Sequence, residues 1–583
     1  MSRKTHVLYG LLCVVLGLML AACAGQPAAP AAEAPAADAP AAEAEGEATE
    51  APAEEAAAPV ASGDTWINVC EEEPVSGGEI TLAIPNEAMV GRTWLSYGST
   101  NESFVFNQLV DLSIEDAETI LPDVAESWEE SEDGLTYTYH LRGDVLWHDG
   151  EPLTAEDVKW TIELVSHPDS AVAVRTVLPL SAIVGYEEFS ANEAEEISGV
   201  EVIDDFTVQI TLTSPRADFF YGMAGMNIWP KHPFEGMAFA DIPTSPLVRE
   251  GVIGSGPFKM AEFVPDQYYI LEANEDYFKG RPYLDRLIFR IGLNTVASWL
   301  PGLESGEIQI GSQINGLDRE RVEATEGLKV VGAPLPGAMA IWPNHKNFPD
   351  KRVLQALIHA IDREAITTGI YGPGQAFVYD FDNIDQNHTW ISPDVPDYPY
   401  DPELAKQLLA DAGWDSSREL SFVTYYLTEL DRNVVAAMQQ YWADVGVTVN
   451  VEHMESPAWA ERVYENPDYD LAYGCCGISV PFEYSRYSCA NVPPAGVNGS
   501  AYCNEEVDQM VVDSIAETDP EVRKEMWYTI SEITNEEVLH MTLFQQDRGH
   551  AINANVCNYQ FRQWSNIVWP ERNPETWFLK GGS

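Results

Sequence analysis

Apolar and polar residues alternate along several short segments of the chain, which is typical of β-strands with one buried face. The alternation is clear in EITLAIP (79–85) and in Tyr137–Leu141. Val200–Thr213 contains two such runs around Asp204-Asp205, which predicts a hairpin. Val447–Val451 predicts a further strand.

Other segments repeat their apolar residues at helical spacing. Pro402–Gly413 also carries the expected end signals, because Asp401 can cap its first turn and Gly413 can terminate it. The predicted helices are 155–165, 352–370, 402–413, 432–445 and two within 505–537. Because strands and helices alternate along residues 64–583, we predict an α/β fold. A chain of 583 residues, 45% of them hydrophobic, is large enough for two or three domains.

The N-terminus has the pattern of an export signal. Arg3 and Lys4 precede an apolar run over 7–20, which is too short for a comfortable membrane span. The run ends in Leu-Ala-Ala followed by Cys23, which resembles the lipobox of bacterial lipoproteins. We therefore predict a signal peptide over 1–22 and a diacylglycerol thioether on Cys23. The alternative is an ordinary secretory signal peptide with an unrelated cysteine.

Residues 24–63 are almost all Ala, Pro, Glu and Gly, without a Lys or Arg. Such a segment cannot bury enough surface to fold, so we predict that 23–63 is the lipidated cysteine followed by a disordered tether. No later segment reaches the roughly eighteen consecutive apolar residues expected of a spanning helix.

The net charge is strongly negative, with 93 Asp and Glu against 32 Lys and Arg, or −61. A basic surface for phosphates is unavailable at this composition, so nucleic-acid binding is excluded as a function class. The acidity predicts a solubilising shell for a salty medium. The alternative is steering of cationic ligands.

Six cysteines follow the anchor, and in an exported protein they can form disulfides. They are Cys70, Cys475, Cys476, Cys489, Cys503 and Cys557. Neither their spacing nor that of the histidines matches a zinc motif. His345, His359, His388 and His453 are scattered, and we interpret each as structural. We therefore expect no metal and no cofactor.

The segment LWHDGEPLTAEDV (146–158) places a histidine and an aspartate side by side, as a catalytic or metal site would. Gly150 permits a tight turn, Asp149 can accept backbone N–H groups there, and Thr154 can cap a following helix. We therefore interpret His148-Asp149 as a turn and Trp147 as a core residue. A surface hydrolase is the alternative, but the sequence has no GxSxG or HExxH motif. We expect no catalytic residues.

The order of several longer blocks is also informative. These blocks are LPDVAESWEESEDGLTYTYHLRGDVLWHDGEPLTAEDVKW (121–160), 254–290, LESGEIQIG (303–311), KRVLQALIHAIDREAI (351–366) and YPYDPELAKQLLADAGW (398–414). They resemble, in order and spacing, the extracellular solute-binding family 5, which includes oligopeptide-, dipeptide- and nickel-binding proteins of ABC importers. The resemblance covers about 75–583.

The resemblance implies a large two-lobed periplasmic-binding-protein fold of the cluster C type. Lobe I would take 64–310 and 545–583, with an extra subdomain over 105–235, and lobe II would take 311–544. Two crossings between the lobes make a hinge, so closure over a ligand is the expected motion. We expect a monomer, lipid-anchored outside the cytoplasmic membrane, that hands a small solute to a permease.

The resemblance also implies which residues line the cleft. One group belongs to the loop WLSYGSTNESF (94–104) and comprises Tyr97, Ser99, Thr100 and Asn101. A second lies in AIWPNHKNF (340–348), where Asn344 matches a frequent Asn of the family. Trp342 either stacks on the ligand or packs in the protein.

The third group bears on the ligand class. Dipeptide-type members have a Trp and an Asp in one loop, and here Cys475 and Ile478 fall at those positions. An Arg that binds the peptide carboxylate in some members is replaced by Tyr425 or Tyr426. A peptide remains the expected ligand, and an oligosaccharide is the alternative because aromatic residues suit sugar faces. The expected residues are Tyr425, Tyr426, Gly474, Cys475, Cys476, Gly477, Ile478 and Phe482.

The segment YSCANVPPAGVNGSAYCNEEVDQMV resembles a cysteine-closed loop of dipeptide-type members. The resemblance implies a disulfide between Cys489 and Cys503. The pairing of the other cysteines stays open.

Overall fold

The computed structural model describes residues 67–84, 102–113, 119–170, 179–372 (except 225, 249, 294 and 315), 376–378, 390–475, 486–561 (except 497) and 571–582. The strands are β1 (Ile67–Asn68), β2 (Glu79–Ile84), β3 (Val110–Leu112), β4 (Ile120–Pro122), β5 (Ala125–Glu130), β6 (Thr136–Leu141), β7 (Val200–Asp204), β8 (Thr207–Thr211), β9 (Phe258–Val264), β10 (Tyr268–Ala273), β11 (Arg286–Ile291), β12 (Ile310–Ile314), β13 (Leu328–Pro343), β14 (Ala376–Val378), β15 (Glu419–Thr424), β16 (Thr448–His453), β17 (Leu471–Cys475), β18 (Met541–Asn553), β19 (Val556–Cys557), β20 (Tyr559–Phe561), β21 (Glu571–Arg572) and β22 (Phe578–Leu579). The α-helices are α1 (Glu102–Val105), α2 (Ala155–Ser166), α3 (Tyr186–Ser190), α4 (Phe219–Met223), α5 (Val296–Ser305), α6 (Gly316–Glu323), α7 (Lys351–His359), α8 (Arg363–Ile366), α9 (Pro402–Asp411), α10 (Glu429–Asp444), α11 (Ser456–Ala460), α12 (Glu505–Ala516) and α13 (Pro520–Glu536).

One large sheet links the two lobes of the α/β fold. Its strand order is β16-β15-β17-β13-β18-β12-β2-β11-β10-β9, with β14 pairing β18 off this path. The two longest strands, β13 and β18, lie at its centre and pair antiparallel with each other. Their register shifts between Pro334 and Ala338 and again between Met339 and Ala340, so the ladder is discontinuous there.

The first lobe is built around β2, which pairs in parallel with β11 and β12. Ile80, Leu82 and Ile84 pack on one side of this strand, while Ala83 packs on the other against Trp299 of α5. Burial on both faces is why EITLAI is apolar at almost every position.

The packing of 310–331 bears on the predicted lobe boundary at 311. Ile314, Val322 and Leu328 share a core with Trp299, which belongs to the first lobe. This packing favours a crossing inside β13, near the interruption at 334–338, over a crossing at residue 311.

A separate four-stranded antiparallel sheet, of order β5-β6-β8-β7, lies within the predicted extra subdomain. β6 alternates strictly between buried and half-buried residues, and Tyr137, Tyr139 and Leu141 point into a core shared with α2. The predicted hairpin is present as β7 and β8, which pair from Val200↔Ile210 to Asp204↔Thr207.

In the second lobe, β15 pairs in parallel with both β16 and β17. One face of these strands buries Leu420 and Phe422 against α7, α9 and α10. The opposite face, which carries Val423 and Ala472, packs against α11. The sheet therefore has two hydrophobic sides, and the ligand candidates divide between them.

Most predicted elements are present, but the single helix over 352–370 is wrong. α7 ends at His359, and α8 starts at Arg363. The Asp362 carboxylate accepts the backbone N–H of Ala365 at 2.8 Å, and so caps a new helix instead of continuing the old one. The helix predicted from residue 432 starts earlier, at Glu429, because Thr428 caps it by accepting the N–H of Asp431.

Two disulfides are present among the described residues. Cys489 pairs with Cys503, as the resemblance implied, with Cα atoms 4.7 Å apart. Cys70 pairs with Cys557 across 487 residues, beside the strand pair β1 and β20. Within the described ranges, no helix has the length and hydropathy needed to cross a membrane.

Candidate ligand-binding site

The site candidates of the second lobe lie at the carboxyl ends of parallel strands. β15 and β17 run side by side, with Thr424 opposite Tyr473, so Tyr425-Tyr426 leave the sheet beside Gly474-Cys475, the last residues of β17. β13 runs past this edge, because its Met339 pairs with Cys475. The interruption of β13 at 334–338 lies beyond Met339, on the side of the first lobe. Ligands of open α/β sheets bind outside the carboxyl ends of parallel strands. This edge is therefore the candidate cleft wall.

Tyr425 and Tyr426 carry the accessible aromatic surface at this edge. Both are half-buried, and their ring centroids lie 4.6 Å apart. Tyr425 also meets the ring of Trp459 edge-on at 4.8 Å, which anchors it from behind. The two rings form a nearly continuous aromatic surface.

Trp342 lies one layer deeper, and it packs inside the protein. It is 4% exposed, with its ring 5.6 Å from Trp459 and 5.7 Å from His540, centroid to centroid. The Arg486 guanidinium lies 4.9 Å from the same ring centroid. The faces of Trp342 are thus already in contact with protein, which favours packing over stacking on a ligand.

Asn344 lies at the other end of these strands. Its backbone N–H donates to Asp470 O at 2.9 Å, and its side-chain amide donates to Tyr469 O at 3.2 Å. It is 4% exposed. In this structure Asn344 joins the end of β13 to the start of β17, three residues away from the edge where Tyr425 emerges.

Gly474 is a close neighbour of this cluster. It pairs with Ala340 on β13, and a Cβ built on it would lie 3.7 Å from Trp342 Cζ2 and 3.9 Å from Trp459 Cζ2. The remaining candidates fall outside the described residues: Cys23, Tyr97, Ser99, Thr100, Asn101, Cys476, Gly477, Ile478, Phe482 and the side chain of Cys475.

The His148-Asp149 pair forms the predicted turn, with Gly150 at φ +94°. Backbone groups engage both ring nitrogens of His148, since Nδ1 accepts the N–H of Gly254 at 3.1 Å and Nε2 lies 3.0 Å from Gly256 O. The imidazole is therefore neutral with its proton on Nε2, and burial lowers the pKa of His148 to about 4. These bonds hold the turn against residues 254–256.

The flanking residues of this motif are also structural. Trp147 is 1% exposed, and its indole N–H donates to the Asp157 carboxylate at 3.4 Å. The same carboxylate accepts the backbone N–H groups of Thr154 and Lys231. Thr154 caps α2, as predicted. The segment connects a turn, a helix start and a distant loop.

His345 is bound in a similar way, with Nε2 3.2 Å from Leu539 O, and burial lowers its pKa to about 4. Among the described residues, no group of three or more His, Cys, Asp or Glu side chains is arranged to hold a metal ion.

Sequence reasoning missed three residues of the cluster: Trp459, Arg486 and His540. They come from α11, from the segment before the disulfide loop and from the residue that precedes β18. No spacing motif links such distant segments. The one available signal was the apolar face of SPAWA, which must cover a sheet.

A family model, "Bacterial extracellular solute-binding proteins, family 5 Middle", matches residues 119–488. A Brucella ovis protein named as an ABC transporter peptide-binding protein is 30% identical over 484 residues, which are 79% of this chain and 86% of that protein. The oligopeptide-binding protein AppA of Bacillus subtilis is 27% identical over 521 residues, which are 83% of this chain and 91% of the relative.

Solved structures agree on the fold. The ABC transporter substrate-binding protein CtaP of Listeria monocytogenes is 25% identical with a TM-score of 0.73, covering 86% of this chain and 99% of its own. A peptide-binding protein AppA of Clostridium difficile, at 22% identity, has a TM-score of 0.75 and covers 86% of this chain and 100% of its own. Together with the family model and the two-lobed sheet, these likenesses place the chain: it belongs to family 5 of the bacterial extracellular solute-binding proteins.

Proposed function

We propose that this protein is the substrate-binding component of an ABC importer, which captures a peptide between its lobes and delivers it to a membrane permease. The observation that carries the proposal is the 30% identity, over 86% of its length, with a relative named for peptide binding. The sheet supports it, because β13 and β18 are long strands that pass between the lobes and are interrupted together. Such a connection allows closure over a solute.

The ligand is tested by recovering it. The protein without its signal peptide is purified under native conditions, and any co-purified solute is released and identified by mass spectrometry. Calorimetry then compares free peptides, N-acetylated peptides and short oligosaccharides in one buffer. Binding of peptides with no binding of oligosaccharides is the expected result, and the reverse contradicts the proposal.

The N-acetylated arm tests the chemistry of the cleft. Because Ile478 falls where dipeptide-type members place an acid, a free α-amine gains no ionic partner from that position. Acetylation is then expected to leave affinity nearly unchanged. If an acid does bind the ammonium, acetylation costs roughly 2 to 5 kcal/mol, as for truncating one partner of a buried ion pair.

Oligosaccharide is the second candidate ligand, and the observation that favours it is the half-buried Tyr425-Tyr426 pair. Aromatic faces of this kind stack on sugar rings as well as on apolar side chains. If a neutral oligosaccharide binds tightly, and binds more weakly when Tyr425 is replaced by Ala, the protein is a sugar-binding component instead.

We further propose that the protein is held at the membrane by a lipid on Cys23. Replacing Cys23 with Ser removes the thiol that would carry the thioether, so the protein is expected in the soluble fraction. Cys13→Ser, in the apolar run of the signal peptide, is the matched control and should stay membrane-bound. Membrane retention of Cys23→Ser at unchanged mass would exclude the lipid anchor.

A further inference from the structure

Two tryptophans lie side by side beneath the end of β17. Trp342 belongs to β13 and Trp459 to α11, and their rings are 5.6 Å apart, centroid to centroid. They are only 4% and 5% exposed. Each is therefore a buried aromatic side chain with one polar atom, the indole N–H.

Neither indole N–H finds an acceptor in the described part of the chain. Trp442 shows the usual arrangement, since its buried N–H donates to Leu357 O at 2.9 Å. A buried donor without a partner is unfavourable, and buried polar groups nearly always have one. Two such donors in contact with each other, at the candidate cleft wall, call for an explanation.

The geometry at Gly474 shows which edges of the two rings face this residue. In an indole, Cζ2 is bonded to Cε2, which carries Nε1, so the Cζ2 edge of the ring adjoins the N–H. Cζ2 and Cη2 of Trp342 lie 3.7 and 3.9 Å, and Cζ2 of Trp459 lies 3.9 Å, from the position that a Cβ of Gly474 would take. Both rings therefore turn an edge next to their N–H towards Gly474. Gly474 places no side chain against these edges, at the carboxyl end of β17.

The chemistry of the pair favours one kind of partner. Two N–H donors without an acceptor favour an oxygen that carries partial or full negative charge. The Arg486 guanidinium lies 4.9 Å from the centroid of the Trp342 ring and so covers part of that ring. Stacking on Trp342 itself is disfavoured, because His540 and Trp459 already pack against its ring.

We propose that Trp342 and Trp459 form a specificity subsite, in which their indole N–H groups donate to a carbonyl or carboxylate oxygen of the bound peptide beside Gly474. The inference rests on the proposed function, and it adds the group of the ligand that this part of the cleft recognises. A ligand that lacks an oxygen acceptor at this point leaves both donors unpaired and binds more weakly.

The first test replaces each donor while keeping an aromatic ring. Trp342→Phe and Trp459→Phe are titrated calorimetrically with the short peptide that binds the unaltered protein most tightly. Loss of one hydrogen bond to a neutral carbonyl is expected to weaken binding by about 2- to 10-fold, and loss of one to a carboxylate by about 10- to 100-fold. Repeating the titration with the C-terminally amidated peptide separates these sources, because amidation removes the carboxylate and leaves the carbonyl groups.

Trp527→Phe is the matched control. Trp527 is 1% exposed and its N–H also has no acceptor among the described residues, but it lies in a different core, formed by α12 and α13. Its replacement removes the same ring area without touching the subsite, so peptide affinity should not change.

A second variant does not depend on removing a core residue. Gly474→Ala adds a methyl group at ordinary contact distance from both indoles, so the protein is expected to fold, while the oxygen is displaced and affinity falls by about 10-fold or more. Gly143→Ala, whose Cβ would meet only Phe206 Cζ at 3.9 Å, is its control. Unchanged peptide affinity in folded Gly474→Ala and Trp459→Phe would overturn the subsite alone. Failure of the unaltered protein to bind any peptide would overturn the proposed function and the subsite with it.

Discussion

At the scale of single residues, His148 has both ring nitrogens bonded to backbone groups of residues 254–256, and burial lowers its pKa from 6.5 to about 4. The unfolded chain therefore takes up this proton first as the pH falls. Stability from His148 is complete above pH 6.5 and is lost as the pH falls towards 4. The shift corresponds to about 3 kcal/mol of unfolding free energy.

The prediction is tested with His148→Asn, which keeps an acceptor for the Gly254 N–H but does not titrate. Its unfolding free energy, measured by urea denaturation, should fall less steeply between pH 6.5 and 4 than that of the unaltered protein. His140→Asn, at a half-buried position of β6, controls for removal of a less buried imidazole. Parallel pH profiles for the unaltered protein and His148→Asn would contradict the assigned role.

At this scale, contacts between residues that are close in the sequence could be predicted, and contacts between distant segments could not. Gly150 and Thr154 were predictable because a turn and a helix cap are set by neighbouring residues. The partners of His148, at 254–256, were not, because a local pattern does not specify which distant loop packs against it. The same limit hid Trp459 and His540, which meet Trp342 only through tertiary packing.

At the scale of elements, the break after α7 shows why one predicted helix became two. Helical periodicity over 352–370 describes which side faces the core, and both pieces keep that side buried at Leu357 and Ile366. Periodicity does not show that the Asp362 carboxylate accepts a backbone N–H of the next turn, in place of a helical carbonyl group. The strands predicted at 79–85, 137–141, 200–213 and 447–451 are present within about two residues, but most of the other strands, including β13 and β18, were not predicted.

The loop closed by Cys489 and Cys503 yields a prediction on stability. The cysteines are 14 residues apart in sequence, and closing a loop of this length contributes roughly 3 kcal/mol in the chain-entropy model. Cys489→Ser/Cys503→Ser should lower the urea midpoint by the corresponding amount. Peptide mapping under non-reducing conditions that finds both thiols free in the unaltered protein would remove the basis of the prediction.

The central strand pair, β13 and β18, yields a second prediction on stability. Gly549 on β18 lies opposite Gly332 on β13, and a Cβ on Gly549 would lie 2.3 Å from Val330 Cγ1. Because a β-branched side chain has few favourable rotamers with which to relieve this clash, Gly549→Ala should destabilise the protein by about 1 to 3 kcal/mol.

The double variant Val330→Ala/Gly549→Ala serves as the control, since it removes the methyl group that clashes. It should recover part of the stability lost in Gly549→Ala. Strictly additive losses in a double-mutant cycle would show that the two positions do not compete for space.

At the scale of the whole molecule, acidity should make stability depend on salt. Cleavage of the predicted signal peptide would remove Arg3 and Lys4 and take the net charge from −61 to −63. Salt weakens surface ion pairs such as Lys351–Glu536 and Arg290–Glu307, but each contributes at most about 1 kcal/mol. Screening of the excess acid is the larger effect, since the Debye length falls from ~10 Å at 0.1 M to ~3 Å at 1 M.

The melting temperature is therefore expected to rise along a chloride series. Sodium and potassium chloride should act alike if screening is the cause. A melting temperature that stays level or falls up to molar salt would show that net self-repulsion is not a major term.

The bond between Cys70 and Cys557 has a mechanical consequence. It joins the segment that follows the N-terminal 24–63 directly to β19, whose Val556 lies in the main core of the first lobe. Tension applied through the N-terminal segment is therefore carried covalently into that lobe, without loading the β13–β18 ladder. In a molecule attached by its N-terminus, force on the attachment is therefore transmitted through one lobe. The other lobe can move relative to it without force on the N-terminal segment.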